Sequence, residues 1–395
     1  MPDDSAPRPG LPPLDRFRPG DPVPRFRART DSNPRYTFDS VAGRYVVLVF
    51  LGSVPAHAQT TAAWNMLRAA QASGLLDDSR ACAFAVTADP PPAGDDSARR
   101  GAGPLATVRD HYPGLRVFRD HDLAVSRLFG ALLPGEGADQ RPVYHGAALL
   151  LDPALRVLAT APLGGLNALL DHLRSLPPPG QPAGFEPVAP VLALPRILDP
   201  EFCRELIALY ERHGGQESGF MREVNGRTVG MLDAAHKRRR DHEIAEEPVR
   251  AALRAQLQRR LLPEIQRAFQ FKATRIERYI VSCYDAADGG HFRAHRDNTT
   301  KGTAHRRFAV TINLNDSFDG GDLWFPEFGP RRYRAPVGGA VVFSCSLLHE
   351  ATRVTRGTRY ATLPFLYDEE AALLRERNLA FLGGAGEAAG SAAQG

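Results

Sequence analysis

SCYDAADGGHFRAHRDN at 282–298 and GGAVVFSCSLLHEATRVTRGTRY at 338–360 decide how the second half of this chain is read. His295 and Asp297 stand two apart, so on an extended strand both side chains point to one face. His349 follows the apolar run Ala340–Phe343, and Arg359 lies ten residues beyond it. Two imidazoles and a carboxylate form a donor set suited to a divalent transition metal, with the opposite coordination positions left open. Taken singly, each residue has an ordinary explanation: His295 as a loop histidine, Asp297 as a turn former, His349 as a satisfied core histidine, Arg359 as an exposed charge. Their company argues otherwise. Gly289-Gly290 lies just upstream, the turn Gly320–Leu323 lies between, and Gly338-Gly339 precedes the strand that leads to His349.

Working outward, the surroundings read as strands at Ile276–Tyr284, Arg307–Leu314, Asp322–Phe325, Arg332–Arg334, Ala340–Cys345 and Arg359–Tyr367. Many strands separated by Gly and Pro turns indicate a jelly-roll barrel. Upstream, Val191–Leu194 is a strand, and Asp199 is placed as N-cap, with Pro200 in the first turn, of a helix running to about Tyr210. Gly214–Gly230 reads as strands joined by a turn at Asn225-Gly226. The basic run His236–Asp241, HKRRRD, reads as a solvated face or site rim. Glu247–Phe269 reads as one long amphipathic helix, with Leu253, Leu257, Leu261, Ile265 and Phe269 at fourfold spacing. Glu370–Leu382 reads as a final helix, and the Gly/Ala-rich tail to Gly395 as disordered.

The run Tyr284, Gly289-Gly290, Phe292, His295-x-Asp297, Leu314-Asn315, Gly320-Gly321-Asp322-Leu323-x-Phe325, Gly338, Phe343, His349-Glu350 and Gly357-x-Arg359 resembles the Fe(II)- and 2-oxoglutarate-dependent dioxygenases of the prolyl 4-hydroxylase type, over residues 191–367. The resemblance implies a double-stranded β-helix core with flanking helices. It implies iron held by His295, Asp297 and His349, with 2-oxoglutarate and O2 in the open positions and ascorbate as a candidate addition. Arg359 would receive the distal carboxylate of 2-oxoglutarate, since a planar guanidinium fork matches a carboxylate. Tyr284 would be a second contact to the cosubstrate, its plainer reading being a core aromatic. The implied reaction is hydroxylation of an aliphatic C–H, on a prolyl or other amino-acid residue, with 2-oxoglutarate converted to succinate. Arg293, Asn298 and Asn313 are placed toward the substrate, and His291 and His305 fall off the pattern.

The first half alternates strands and helices, which indicates an α/β sheet. Arg44–Gly52 and Ala81–Thr87 read as fully buried strands, with a helix at Thr60–Ser73 between them. A short strand at Leu115–Phe118, a helical turn at Leu123–Gly130, a hairpin around Asp152-Pro153 and a helix at Leu166–Ser175 follow. The stretches Gly20–Phe26, VVLVF, Arg116–Gly130 and Ala148–Leu158 resemble the peroxiredoxin branch of the thioredoxin fold. A peroxiredoxin needs a thiolate where a helix begins just after the VVLVF-type strand. Here that stretch, Leu51–Thr60, has no cysteine, and neither Ser53 nor Thr60 can act as a thiolate. His57 is read as an ordinary loop histidine. The expected organisation is therefore a two-domain chain: a disordered tail at 1–18, a redox-inactive thioredoxin-like α/β domain at 19–175, a Pro/Gly linker at 176–190, the oxygenase domain at 191–370, and a short helix with a flexible tail at 371–395.

Composition bounds the alternatives. A net charge of +4 over 395 residues is too mild to imply nucleic acid, and Lys237, Lys272 and Lys301 are the only lysines. Cys82, Cys203, Cys283 and Cys345 stand far apart in apolar settings, as expected of buried reduced thiols in a cytoplasmic protein. The start, MPDDSAPRPGLPPL, is unlike a signal peptide, and no apolar run is long enough to cross a bilayer. The expected partners are 2-oxoglutarate and a peptide, protein or small amino-acid-like substrate; the oligomeric state is left open. Rival readings are a thiol peroxidase recruiting Cys82 or Cys203, and a non-catalytic thioredoxin-fold binding protein with a degenerate oxygenase domain.

Overall fold

Tyr45–Gly52 (β1), YVVLVFLG, is buried at every position. A run of β-branched and aromatic residues with no polar alternation suits a strand covered on both faces. The computed structural model that shows this describes residues 17–55, 57–91, 108–133, 142–224 and 226–382. The expected disordered ends, most of the loop Pro90–Gly103 and Asn225 of the expected turn lie outside the described residues. The chain divides into two compact units, Met1–Pro187 with Pro326–Gly329 and Val188–Phe325 with Pro330–Gly395.

In the first unit β1 leads into a helix at Ala58–Ala72 (α1), then a buried strand at Ala81–Thr87 (β2) and another at Leu115–Arg119 (β3). A short helix at Ala124–Phe129 (α2) precedes the hairpin Ala147–Leu151 (β4) and Val157–Pro162 (β5), and Leu166–Ser175 (α3) follows. The sheet order is β3-β2-β1-β4-β5, with β3, β2 and β1 parallel and β4 and β5 antiparallel. Trp64 and Leu67 of α1 and Leu166, Leu170 and Leu173 of α3 pack with Val47, Val49, Ala83 and Leu150 in one core. Each such fully buried large aliphatic side chain contributes about 1.5–3 kcal/mol.

The second unit is built on two sheets. Its principal strands, in chain order, are Leu192–Leu194 (β6), Phe220–Val224 (β7), Arg227–Met231 (β8), Lys237–Arg238 (β9), Arg240–Glu243 (β10), Ile280–Asp285 (β11), His291–His295 (β12), Phe308–Asn313 (β13), Leu323–Trp324 (β14), Arg332–Tyr333 (β15), Ala340–Ser344 (β16), His349–Ala351 (β17), Val354–Thr362 (β18) and Phe365–Tyr367 (β19); short strands at Gln216–Glu217, Arg275–Glu277 and Phe318–Gly320 pair with them. The larger sheet runs β6-β16-β13-β18-β11-β10 and ends on the short strand Gln216–Glu217, and the smaller runs β9-β12-β17-β14-β15. Helices Pro200–His213 (α4), Glu247–Gln256 (α5) and Leu262–Phe269 (α6), with the turn Leu257–Leu261 that joins α5 to α6, give Leu206, Leu253, Leu257, Leu261 and Ile265 to a core shared with Val281, Val310, Ile312 and Val342 of the larger sheet. Strand alternation then turns Ser282 and Tyr284 of β11 away from the helices, and Tyr284 packs instead with Phe318, Ala351 and Val354. A last helix spans Glu369–Asn378 (α7). Among the described residues no helix is long and apolar enough to cross a membrane.

The structure corrects several sequence readings. Glu247–Phe269 is not uniform: Leu257–Leu261 is a π-helical turn between α5 and α6. Pro263 accounts for it, because proline has no N–H to donate and its ring crowds the carbonyl four residues back. Ile276–Tyr284 is broken at Arg278, whose φ is 71°. Arg359–Tyr367 is split at Pro364 into β18 and β19, and β18 itself begins earlier, at Val354. Asp199 precedes α4 but makes no side-chain cap; its carboxylate pairs with Arg260 at 3.0 Å instead. The run HKRRRD is no solvated face. It alternates, with Lys237 and Arg239 only 4% and 5% exposed while Arg238 and Arg240 face solvent.

Candidate metal centre

The two histidines meet through strand pairing. β12 runs antiparallel to β17, with Phe292 opposite Ala351 and His295 opposite His349, and the register shifts between these pairs. Three steps on β12 match two on β17, as in a β-bulge, and such irregularities re-aim side chains. The bulge lets Phe292 stack on the His295 ring at a centroid distance of 3.5 Å. Asp297 lies just past the end of β12, its N–H donating to the Cys345 carbonyl at 3.0 Å. One donor atom from each of His295, Asp297 and His349 falls within 4.8 Å of the others.

The hydrogen bonds set the tautomers. His295 Nδ1 is 2.7 Å from the Arg293 carbonyl, and His349 Nδ1 is 3.0 Å from the Leu347 carbonyl. A carbonyl only accepts, so each Nδ1 carries the proton and each Nε2 presents a lone pair in the neutral ring. These Nε2 atoms lie 3.4 Å and 3.3 Å from the two Asp297 oxygens. Burial, then the neighbouring His349, pushes the His295 imidazole down to about 4. Burial acts to raise the Asp297 carboxyl, but His349 and His295 hold it well below the usual carboxylate range. With both rings neutral, two Nε2 lone pairs and the Asp297 carboxylate face one another. Donors about 2.1 Å from one octahedral ion stand roughly 3 Å apart, close to these separations, so the residues fit a divalent cation.

Arg359 and Tyr284 face each other across β11 and β18 of the larger sheet. Arg359 is 3% exposed, and its Cζ lies 5.2 Å from the Tyr284 ring centroid. Its Nε donates to Asn313 Oδ1 at 3.0 Å and its Nη2 to Thr311 Oγ1 at 2.8 Å. Both partners are neutral, and no described carboxylate forms an ion pair with it. Burial lowers its basicity, with Tyr284 and Asp322 acting in the opposite sense. A buried guanidinium held only by neutral oxygens is suited to an incoming anion. Gly321 makes room for it: a Cβ there would stand 3.0 Å from Arg359 Cδ. Gly290 allows a similar approach, since its Cβ would fall 2.8 Å from Tyr284 Cα.

Of the side chains placed toward the substrate, Asn313 instead orients Arg359, and its Nδ2 donates to the Ala335 carbonyl at 2.9 Å. Asn298 bonds Ser346 at 2.8 Å, and exposed Arg293 bonds the Ala235 carbonyl. His291 lies against the Gly289 carbonyl, and His305 bonds Glu277 at 2.6 Å. Within the run read as a solvated face or site rim, sequence reasoning did not single out Lys237, Arg239 and Asp241. Asp241 accepts from Arg239 at 2.6 Å, from Arg278 at 3.2 Å and from Ser282 at 2.7 Å. Arg239 also reaches the Tyr284 hydroxyl at 3.2 Å. The signal was available as a period of two, since Lys237, Arg239 and Asp241 are alternate residues.

Comparison with known proteins places these residues in context. Residues 279–367 match the 2OG-Fe(II) oxygenase superfamily. Over 98 residues the chain is 29% identical to a PKHD-type hydroxylase of Synechococcus sp. (strain JA-2-3B'a(2-13)), covering 23% of this chain and 43% of that protein. The chain thus spans less than half the length of that curated relative. A prolyl hydroxylase from Trichoplax adhaerens, solved with a hypoxia-inducible-factor peptide, matches 47% of this chain and 87% of its own at 18% identity and a TM-score of 0.39. Xanthomonas campestris peroxiredoxin Q matches 38% of this chain and 90% of its own at 18% identity and a TM-score of 0.30. The chain carries a 2OG-Fe(II) oxygenase domain.

Proposed function

We propose that the second unit is an iron- and 2-oxoglutarate-dependent hydroxylase on a double-stranded β-helix. His295, Asp297 and His349 are the metal ligands, and Arg359 with Tyr284 anchors the distal carboxylate of 2-oxoglutarate. The observation that carries this reading is the convergence of three donor atoms within 4.8 Å in a chain whose residues 279–367 match the oxygenase family. When bound, the iron, the 2-oxo acid and O2 supply the oxidising power to insert one oxygen atom into a C–H bond, with release of succinate and CO2. The chain's own residues do the rest. The Nδ1 bonds fix both imidazoles with Nε2 toward the site. Phe343 lies 4.6 Å from the His349 ring and Phe292 covers His295, so apolar surface limits water there. Asn313 and Thr311 hold Arg359 in one orientation.

The substrate we propose is an aliphatic carbon of a prolyl or other amino-acid residue, or of a free amino-acid-like molecule. The four cysteines are free and buried, which suits a reducing compartment and disfavours a thiol peroxidase. The test is iron-dependent formation of succinate from 2-oxoglutarate, with product mass spectra scanned for a gain of one oxygen. Wild type should turn over, and Arg359→Ala should raise KM for 2-oxoglutarate by about a hundredfold, the loss of a buried charge-assisted pair. No iron-dependent succinate from wild type across a broad substrate panel would sink the reading.

A further inference from the structure

We infer that Arg239 is a positioning residue for the 2-oxoglutarate carboxylate, acting through the hydroxyl of Tyr284; this rests on the oxygenase reading above. Arg239 sits where one run of chain changes sheets. β9, just before it, pairs with β12 of the smaller sheet, while β10, just after it, pairs with β11 of the larger. Its side chain is 5% exposed. Nη2 donates to Asp241 Oδ2 at 2.6 Å and to Ser218 Oγ at 3.1 Å. Asp241 is itself fixed by Arg278 and Ser282, so the guanidinium cannot swing.

Nη1 lies 3.2 Å from the Tyr284 hydroxyl oxygen. Guanidinium has donors only, so this bond runs one way: Arg239 donates and Tyr284 accepts. The phenol's own proton must then leave toward a different acceptor, and no described residue supplies one by a hydrogen bond. The ring it belongs to is the one beneath the Arg359 guanidinium. A ligand carboxylate drawn to Arg359 therefore meets an O–H already turned outward to donate. An Arg239 that served only to neutralise Asp241 would need Nη2 alone. Here Nη1 is committed to the phenol, and Nε is buried with no hydrogen-bond partner.

The experiment is calorimetric titration of 2-oxoglutarate into the full-length protein loaded with Zn(II), which reads binding without turnover, beside KM and kcat in the succinate assay. Arg239→Lys keeps the charge but cannot span both Asp241 and Tyr284. It should weaken 2-oxoglutarate binding by about tenfold, the scale of one hydrogen bond to a charged group, with the loss falling on KM more than on kcat. Tyr284→Phe should cost a similar factor, and the double variant no more than either single one, because the two act through one bond. Additive losses, or an Arg239→Lys affinity within about twofold of wild type, would overturn the inference and leave the oxygenase reading standing. Wild type that binds no 2-oxoglutarate would overturn both.

Discussion

The start of α1 in the first unit and the paired histidines of β12 and β17 in the second are the two places where this sequence resembles enzyme sites, and they differ in how their polar atoms are used. At α1 the local groups answer one another. Thr60 Oγ1 lies 2.8 Å from the Val54 carbonyl and 2.7 Å from the His57 carbonyl. Asp89 accepts from Ser53 Oγ at 2.7 Å and from the Val54 N–H at 2.8 Å. Cys82, the cysteine of the neighbouring strand β2, is buried, and burial pushes its thiol up to about 12. In the second unit, by contrast, two Nε2 lone pairs and a carboxylate converge within 4.8 Å, and a buried guanidinium donates to neutral oxygens. The contrast teaches where function sits: a polar cluster that completes itself is structure, and one that needs an outside cation and an outside anion is a site.

The sharpest way to break this contrast is by paired deletions. His349→Ala should lower iron-dependent succinate formation by more than about a hundredfold, since a metal held by three ligands tolerates the loss of one poorly. Ser53→Ala, in the first unit, should leave the rate within about twofold, as a substitution away from the chemistry does. Equal losses from both would erase the distinction.

A second comparison lies within the second unit itself. His305, ten residues from His295, meets a carboxylate at 2.6 Å rather than 3.4 Å, a hydrogen bond rather than a gap. Burial acts to raise the Glu277 carboxyl, but the His305 hydrogen bond and the Arg306 charge hold it at about 2 against an ordinary 4.5. A carboxyl depressed on folding contributes stability that is present above the unfolded value near 4.5 and disappears as pH falls through about 2. At its full extent this is roughly 3 kcal/mol. Glu277→Gln should lower stability by that order at neutral pH and flatten its decline across the acid range, read by denaturant unfolding at a series of pH values. An unchanged acid profile would show the pair to be idle.

The smallest effect belongs to the first unit. Asp89→Asn should cost about 1–2 kcal/mol of its stability, the scale of a charge-assisted bond to a backbone N–H, without changing 2-oxoglutarate turnover. Melting curves and the succinate assay together decide it.

Much of the architecture could be read from the residues because local preference and burial agree there. ACAFAVT and YVVLVFLG are unbroken apolar runs, and each is buried throughout. Leu166–Ser175 is a helix because its leucines repeat on one face toward the sheet. Legibility failed where one residue acts on distant neighbours. Pro263 alters a helix that periodicity alone would extend, and the left-handed backbone at Arg278 ends a strand that composition would continue. At the metal centre, the spacing of His295 and Asp297 places them on one face, but the opposition of His295 to His349 depends on a register shift that no spacing rule contains. The basic run, read as a solvated face or a site rim, could not be resolved further for a related reason. Charge count suggested solvent, while the partners that make burial tolerable, Ser218, Asp241 and Tyr284, lie up to 45 residues away in sequence.

The change of sheets at Arg239 has a consequence for how this unit can be dissected. The six residues HKRRRD hold their arrangement only while both layers exist, because each half of the run is laddered to a different one. A fragment retaining the loop and one sheet would keep the same letters and lose the wiring. Grafting the run elsewhere would transfer charge without geometry, so the smallest portable piece of this chemistry includes both sheets.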